Sequence, residues 1–306
     1  MSTPTLAQAR SHYNRQRQIV QAGVLAVRSL FRRRRPLAEV VNTVAAYQYA
    51  SATASAAQVA RWAGADGQLT IPEVFAGVSS YGFPVSEPIV ATIDQYVPAP
   101  VEPLPAIWWD EASSFMGAVE RLIASEIADA GRTASQTEFV SRPEWQNYVR
   151  MLNPPSCPRC AILAGRIYRD LEAFRRHPNC DCVMIPVQSW EAAHDEGYAS
   201  SFREAFDAGN VRGLSEADAQ AIRDGADPAR VVNARRGTGV PGITNAYSTD
   251  LFGRRVKATH DATTKPSAWR KANPTLLVRL RPEAIYTFAD SREDAIRLLR
   301  LYGYIL

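Results

Sequence analysis

Apolar residues recur at intervals of three and four through the first 130 residues, and this spacing predicts a helical region. Val20, Val24, Val27 and Phe31 give the first helix one apolar face, and Pro36 ends it. Four helices are predicted, at residues 5–35, 37–63, 87–96 and 108–130, with Gly131 placed after the last one as its C-terminal cap. Four prolines within residues 97–105 predict a stiff, extended connection between the third and fourth helices.

After residue 131 the pattern changes to short, mixed elements. Alternation through Trp145–Met151 and the apolar run Cys182–Val187 predict two strands. Short helices and one further strand follow, with Ser215 and Ser291 as N-caps: helices at 200–208, 215–224, 227–234, after Pro282 and at 291–301, and a strand at 275–280. Residues 235–274 hold few large apolar groups and much Gly, Thr, Arg and Lys, which predicts a long loop or a flexible basic arm.

These patterns predict an α+β fold that is mostly α. We divide the chain into a helical N-terminal region (1–130), a small central Cys/His module with short strands (131–190) and a mixed C-terminal region (191–306) that carries the arm.

Composition narrows the class of protein only slightly. The chain has 306 residues, 46% hydrophobic, and a net charge of +4, which is ordinary for a globular protein and too mild to indicate nucleic-acid binding by itself. No apolar run reaches the length of a membrane span, and the N-terminus lacks the pattern of a secretory signal. We therefore expect no membrane association and a reducing cytosol, where clustered cysteines favour metal binding over disulfides.

The positive charge is concentrated in two blocks, Arg32–Arg35 and residues 254–257. The first block precedes Pro36, where cations suit the C-terminal dipole of a helix, so we interpret it as a solvated helix end. Contact with phosphate or with an acidic partner is the alternative interpretation.

All four cysteines of the chain fall within residues 157–182 and are joined there by a histidine. Cys157 and Cys160 form a Cys-x-x-Cys pair, while His177, Cys180 and Cys182 follow in the order His-Pro-Asn-Cys-Asp-Cys. A structural zinc ion needs four such ligands in a tetrahedron, and both cysteine spacings let two sulfurs reach one ion. We predict a structural zinc held by Cys157, Cys160 and Cys180 with either His177 or Cys182. Buried thiols that act as small hydrophobic groups, or a disulfide formed on oxidation, are the alternatives.

The segments around these ligands resemble the phage Mu F-like minor head protein family, in the form found in actinobacterial tailed phages. The resemblance rests on Pro-Ser-Cys-Pro-Arg-Cys-Ala-Ile-Leu-Ala-Gly-Arg-Ile-Tyr at 155–168 and His-Pro-Asn-Cys-Asp-Cys-Val-Met-Ile-Pro-Val at 177–187. A softer likeness to the tails of such proteins covers residues 280–299. The resemblance implies a minor capsid protein of head morphogenesis that associates with the portal protein and with capsid or scaffold subunits. It also implies that the protein is located in the host cytoplasm during assembly and in the virion, in the capsid interior or at the portal vertex, afterwards.

Two other functions stay open. In actinobacterial phages, proteins encoded near the portal and scaffold are sometimes named capsid maturation proteases. Ser156, Ser189, His177 and His194 could supply a nucleophile and a base for such a protease. None of them lies in a diagnostic frame such as Gly-x-Ser-x-Gly. No catalytic residue is predicted. The basic arm could instead contact nucleic acid, with Trp269 stacking on a base beside its cations: Arg235, Arg236, Arg254, Arg255, Lys257, Lys265, Arg270 and Lys271. Otherwise, that arm is a loop that orders against another capsid subunit.

Overall fold

The fold is α+β and mostly helical, as predicted. A computed structural model describes residues 2–96, 113–169, 172, 174, 180, 182–198, 201–234, 247–249, 255–259 and 279–306. Contacts divide the chain into two units, the first comprising residues 1–153 with 163–201 and the second 154–162 with 202–306. The three-part division expected from the sequence stays a prediction.

The helices and strands of the described residues are numbered here in chain order. The helices are α1 Leu6–Arg32, α2 Leu37–Trp62, α3 Ser86–Tyr96, α4 Ser113–Val140, α5 Pro158–Leu163, α6 Trp190–Asp195, α7 Phe202–Asp207, α8 Glu216–Arg223, α9 Pro228–Asn233, α10 Pro282–Phe288 and α11 Arg292–Leu301. The strands are β1 Asn147–Met151, β2 Ile167–Arg169, β3 Val183–Val187, β4 Tyr247–Thr249, β5 Arg255–Thr259 and β6 Arg279–Leu280. A short 3-10 helix covers Pro72–Phe75.

Local signals explain where several helices begin. Thr5 caps α1, since its side chain accepts from the Gln8 N–H while the Gln8 side chain accepts from the Thr5 N–H. Ser215 and Ser291 cap α8 and α11 in the way the sequence predicted.

The helical core of the first unit lies between α1, α2, α3 and α4. Each helix contributes one apolar stripe, as the spacing predicted, and the fully buried members include Val27, Phe31, Val40, Val44, Ile89, Val119, Ile123 and Ile127. Burial of these side chains at about 25 cal/mol per Å² is the main stabilising term of such a bundle.

Gly131 lies inside α4, so its prediction as a helix cap was wrong. A Cβ atom on Gly131 would come within 2.4 Å of Ser51 Oγ, 2.8 Å of Gln16 Oε1 and 2.9 Å of Ser55 Oγ. The glycine therefore permits α1 and α2 to approach α4 closely. The helix continues to Val140 because tertiary packing overrides the low helix propensity of glycine.

A three-stranded antiparallel sheet in the order β2-β1-β3 completes the first unit. Val149 pairs with Ile167 on one side and with Ile185 on the other, so β1 is the central strand. All five residues of β3 are buried, which explains the continuous apolar run predicted as a strand.

The second unit has its own apolar core. Ile222 of α8, Val231 of α9, Leu280, Ile285 of α10 and Leu299 of α11 are buried together in it. The buried Tyr304 hydroxyl donates to the Leu280 carbonyl at 2.9 Å, which fixes the C-terminus to strand β6. The helices predicted at 200–234 and after Pro282 are all present.

Part of the predicted arm is regular structure, so the expectation of a loop throughout 235–274 was wrong. Strand β5 pairs with β4 and with β6 in an antiparallel sheet. Backbone pairing with the distant Arg279 and Leu280 supplies the hydrogen bonds, and such partners cannot be read from local composition. The rest of the arm, with His260 and Trp269, lies outside the described residues, as do residues 275–278 of the predicted strand.

Within the part of the chain that is described, none of the helices combines the length and the apolar character that crossing a bilayer requires.

Candidate metal centre

Strand β1 carries a buried arginine into the middle of the apolar sheet. Arg150 is only 2% exposed and pairs across the sheet with Met184. Tyr148, two residues earlier, points to the same face, where it stacks on Tyr168 with 5.0 Å between ring centroids. The Arg150 guanidinium lies over the Phe174 ring at 4.1 Å, which is a cation–π contact. A charge this deeply buried requires compensating partners.

The sulfur of Cys182 is one of those partners. Cys182 immediately precedes β3 and is fully buried, and its Sγ accepts a hydrogen bond from Arg150 Nη1 at 2.5 Å. Cys180, two residues earlier, places its own Sγ 2.7 Å from that of Cys182. The i, i+2 spacing therefore directs both sulfurs to one point, as the sequence predicted.

Helix α4 supplies a second cation to the same place. Arg132 donates to the carbonyl oxygens of Cys180 and Cys182, the latter at 3.3 Å, and to Asp129 Oδ1 at 3.0 Å. Burial opposes the charged form, but Cys180 and Asp129 together raise the pKa of Arg132 above its ordinary value. Arg132, Arg150, Cys180 and Cys182 are called the thiol centre below.

Cys180 and Cys182 offer two of the four ligands that a structural zinc ion needs. Both are buried in the first unit, and Cys160 is buried in the second. A tetrahedral zinc ion with Zn–S bonds of ~2.3 Å separates its sulfurs by ~3.8 Å. The Cys180 and Cys182 sulfurs would therefore have to move apart by about 1 Å around an ion.

Two further predicted ligands are Cys157 and His177. Cys157 is partly exposed, and its sulfur accepts from the Cys160 N–H at 3.4 Å. His177 lies outside the described residues. All four cysteines are described, and none of them forms a disulfide.

Both arginines of the thiol centre were missed from the sequence. Arg150 is the only charged residue of β1, and a lone charge within an apolar alternation indicates a buried partner. Arg132 carried no comparable signal, because an arginine near the end of a predicted helix is ordinarily solvated.

Three of the four candidate protease residues, Ser156, Ser189 and His194, are described in the structure. Ser189 Oγ caps α6 by accepting from the Ala192 N–H, and the His194 side chain is 69% exposed. Ser156 is buried, and its Oγ has no hydrogen-bond partner among the described residues. Among the described residues, neither serine side chain forms a hydrogen bond with a histidine.

One comparison with known proteins gave a match. Residues 89–208, which are 120 of the 306 residues, match the model of the family described as VG15 protein. The matched segment contains most of α3, and all of α4, the first sheet and the four cysteines. Searches of curated proteins and of solved structures gave no match. The family match supports the conclusion that the chain is a phage protein. This conclusion is coarser than the Mu F-like family that the cysteine motifs resemble.

Proposed function

We propose that this chain is a structural minor capsid protein that acts in head morphogenesis of a tailed bacteriophage, where it associates with the portal protein or with inner capsid subunits. The observation that carries the proposal is the VG15 match over residues 89–208, because that segment contains both cysteine motifs, at 155–168 and 177–187, that resemble the Mu F-like head proteins. The protein works in the host cytoplasm during assembly and remains in the virion.

A rigid apolar surface supports a docking role. In the loop at residues 69–83, called the apolar loop below, five large side chains are 58–78% exposed: Leu69, Ile71, Val74, Tyr81 and Phe83. They expose on the order of 600 Å², taking ~200 Å² per large apolar side chain. Each partner of a standard protein interface buries about 800 Å².

Buried polar groups hold this loop in place. Glu138 of α4 accepts from the N–H groups of Leu69 and Thr70, and Glu126 accepts from the Ser80 N–H at 2.8 Å. Gln48 of α2 donates to the Val78 carbonyl at 2.8 Å. The two glutamates are twelve residues apart on α4, or ~18 Å along the helix. The apolar loop is therefore preorganised, which reduces the entropy lost when a partner binds.

The thiol centre has a structural role in this proposal. Zinc bound by Cys180 and Cys182, with its other ligands drawn from Cys157, Cys160 and His177 as the sequence motif implies, would cross-link residues around the small sheet. In such a module the free energy of metal binding becomes free energy of folding. These residues bind and orient the ion, and no step of chemistry passes through it.

A nonsense allele of this gene in the parent phage tests the function. Complementation with the wild-type chain should restore infectious titre, and mass spectrometry should find the chain in purified virions. Without complementation we expect particles that lack infectivity, while the major capsid protein keeps its normal length on a gel. Normal titre without the chain would contradict a head-assembly role, and an unprocessed capsid protein would indicate the protease instead.

The apolar loop is tested in the same assay. Ile71→Asp combined with Phe83→Asp should abolish complementation and co-purification with the portal or capsid protein, because both side chains are exposed and contribute little to folding. Val140→Asp, an exposed position at the end of α4, is the matched control and should complement fully. Equal complementation by both variants would exclude this surface.

A further inference from the structure

Helix α1 and the turn after it carry many positive charges and few negative ones. The first 38 residues contain eight arginines and no acidic residue: Arg10, Arg15, Arg17, Arg28, Arg32, Arg33, Arg34 and Arg35. Two of these charges are neutralised, since Arg28 pairs with Glu120 at 2.5 Å and Arg35 pairs with Glu39 at 2.6 Å. The other six are exposed and have no ion-pair partner among the described residues.

The helix dipole explains only part of this pattern. Cations at the C-terminal end of α1 are favourable, which accounts for Arg32 and its neighbours. Arg10, Arg15 and Arg17 lie in the first half of the helix, where the dipole disfavours positive charge and no acid occupies the first turn. These three side chains therefore need a different explanation.

The exposed arginines form a stripe. At 3.6 residues per turn, Arg10, Arg17 and Arg32 lie within about 60° of one another on the helix surface. Arg10 and Arg32 are ~33 Å apart along the axis, close to one turn of a DNA duplex. Polar Asn14 and Gln21 lie between them on the same face and are exposed as well.

The apolar side of α1 is already used. Val27 and Phe31 are buried in the helical core, and the exposed side carries a single large apolar group, Leu25. A membrane-surface helix needs a free apolar face, and a protein interface needs an apolar centre, and this surface offers neither. The guanidinium and amide groups of this face are instead suited to bind a polyanion, because they donate hydrogen bonds to phosphate oxygens.

Few acidic groups face the stripe. Glu120 and Glu39 are each occupied by an arginine, and Glu196, near the start of the helix, accepts from the Leu6 N–H at 3.3 Å. The field along the helix is therefore positive over most of its length.

We propose that the exposed arginine face of α1 binds the sugar-phosphate backbone of duplex DNA without sequence preference. The surface is separate from the basic arm predicted at 235–274, and the inference does not depend on the head-protein function. Each neutralised phosphate releases a condensed counterion, so the affinity should fall steeply with salt.

Fluorescence anisotropy with a labelled 30-base-pair duplex of arbitrary sequence tests the proposal on the full chain between 50 and 200 mM NaCl. The triple variant Arg10→Gln, Arg17→Gln and Arg32→Gln should reduce the slope of log K against log [salt] by about 2 to 3, at ~0.9 per phosphate contact. Arg203→Gln, Arg223→Gln and Arg297→Gln remove the same charge from exposed positions elsewhere, and this control should leave the slope unchanged within about 0.5.

The outcomes separate the possibilities. An unchanged slope in the α1 variant would overturn the proposal. An equal reduction of the slope in both triple variants would also overturn it, because binding would then depend only on the net charge of the protein. Vesicles containing phosphatidylserine at the same ionic strength should not bind the chain. Binding to these vesicles without binding to the duplex would overturn the proposal in favour of a lipid surface. Equal thermal midpoints of the wild type and the α1 variant establish that any loss of binding does not come from unfolding.

Discussion

Arg142 and Arg150 are both buried among the described residues of the first unit, and their charges are balanced in different ways. Arg142 donates to Glu138 at 2.6 Å and to the Gly67 carbonyl at 2.6 Å, while Glu138 also accepts from two backbone N–H groups. We call this pair the carboxylate centre. Arg150 of the thiol centre donates to a cysteine sulfur. A carboxylate is negatively charged at neutral pH without any further partner. A cysteine thiol is mostly neutral at that pH and becomes a negatively charged thiolate when it binds a metal ion.

The comparison teaches that the carboxylate centre is complete by itself. Burial opposes ionisation of Glu138, but the N–H groups of Thr70 and Leu69 and the Arg142 guanidinium keep the pKa of this carboxyl below its usual value. The thiol centre has cations and sulfurs in place, and a bound zinc ion would hold the sulfurs as thiolates. The first centre should therefore depend on its side chains alone, and the second on its side chains and the metal together.

The largest effect is expected at the carboxylate centre. Glu138→Gln leaves Arg142 buried without a counter-charge and should lower the free energy of unfolding by about 3–5 kcal/mol. Glu120→Gln, which removes the partly exposed pair with Arg28, is the control and should lower it by less than about 1 kcal/mol. Urea unfolding followed by tryptophan fluorescence measures both. Equal losses would mean that burial does not distinguish the two pairs.

Substitution at the thiol centre should depend on metal. With zinc present, Arg150→Met should lower the free energy of unfolding by about 2–3 kcal/mol, because the buried thiolates lose a charged donor. After removal of zinc by a chelator the same substitution should have a smaller effect, because a neutral thiol accepts a weaker hydrogen bond from the guanidinium than a thiolate does. The same loss with and without chelator would contradict a metal-dependent charge balance.

Gly131 lies on α4 immediately before Arg132 of the thiol centre and seven residues before Glu138 of the carboxylate centre, so it tests the packing that positions both. Gly131→Ala should lower the free energy of unfolding by about 1–3 kcal/mol, because its Cβ would overlap Ser51 Oγ and Gln16 Oε1. Gly117→Ala on the same helix meets only the flexible end of Arg121 and should raise stability by up to about 1 kcal/mol. Thermal unfolding distinguishes the opposite signs, and stabilisation by both would refute the close approach at Gly131.

His12 is a buried base that lies near cations, and no counter-charge is among the causes that shift its pKa, in contrast to the two arginine centres. Burial, with the nearby charges of Arg61 and Arg15, lowers the pKa of His12 to about 4. The unfolded chain, with a histidine pKa near 6.5, binds more protons between pH 6.5 and pH 4, so stability falls as the pH is lowered through that window.

The effect of His12 should be the smallest of the series. Between pH 7.5 and pH 5.5 its share of the loss is about 1.4 kcal/mol. His12→Phe keeps an aromatic ring against Trp62 and should reduce the pH dependence by that amount in urea unfolding. His194→Gln, at an exposed position, should leave the dependence unchanged. An unaltered pH profile in His12→Phe would show that His12 titrates normally.

The sequence was most informative where the signal is local. Helix periodicity and the caps at Ser215 and Ser291 depend on neighbouring residues, and the cysteine spacing placed Cys180 and Cys182 together correctly. The rest depends on distant partners. The local sequence predicts a helix end at Gly131, because the contact that explains this glycine is with Ser51, which lies 80 residues earlier in the chain.

Distance along the chain also hid the two cations of the thiol centre. Arg150 meets a sulfur 32 residues later and Arg132 meets carbonyl groups about 50 residues later, whereas Glu138 and Arg142 are only four residues apart on one helix. Strands β4 and β5 were missed for the same reason, because the pairing of β5 with β6 joins segments about 20 residues apart.

Zinc content of the purified full-length protein tests the thiol centre most directly. Elemental analysis after purification without chelators should find about one zinc per chain, and Cys182→Ser should lose most of it together with stability. Less than about a tenth of an equivalent in the wild type, with no change in unfolding on adding zinc, would contradict the account of a metal-balanced centre.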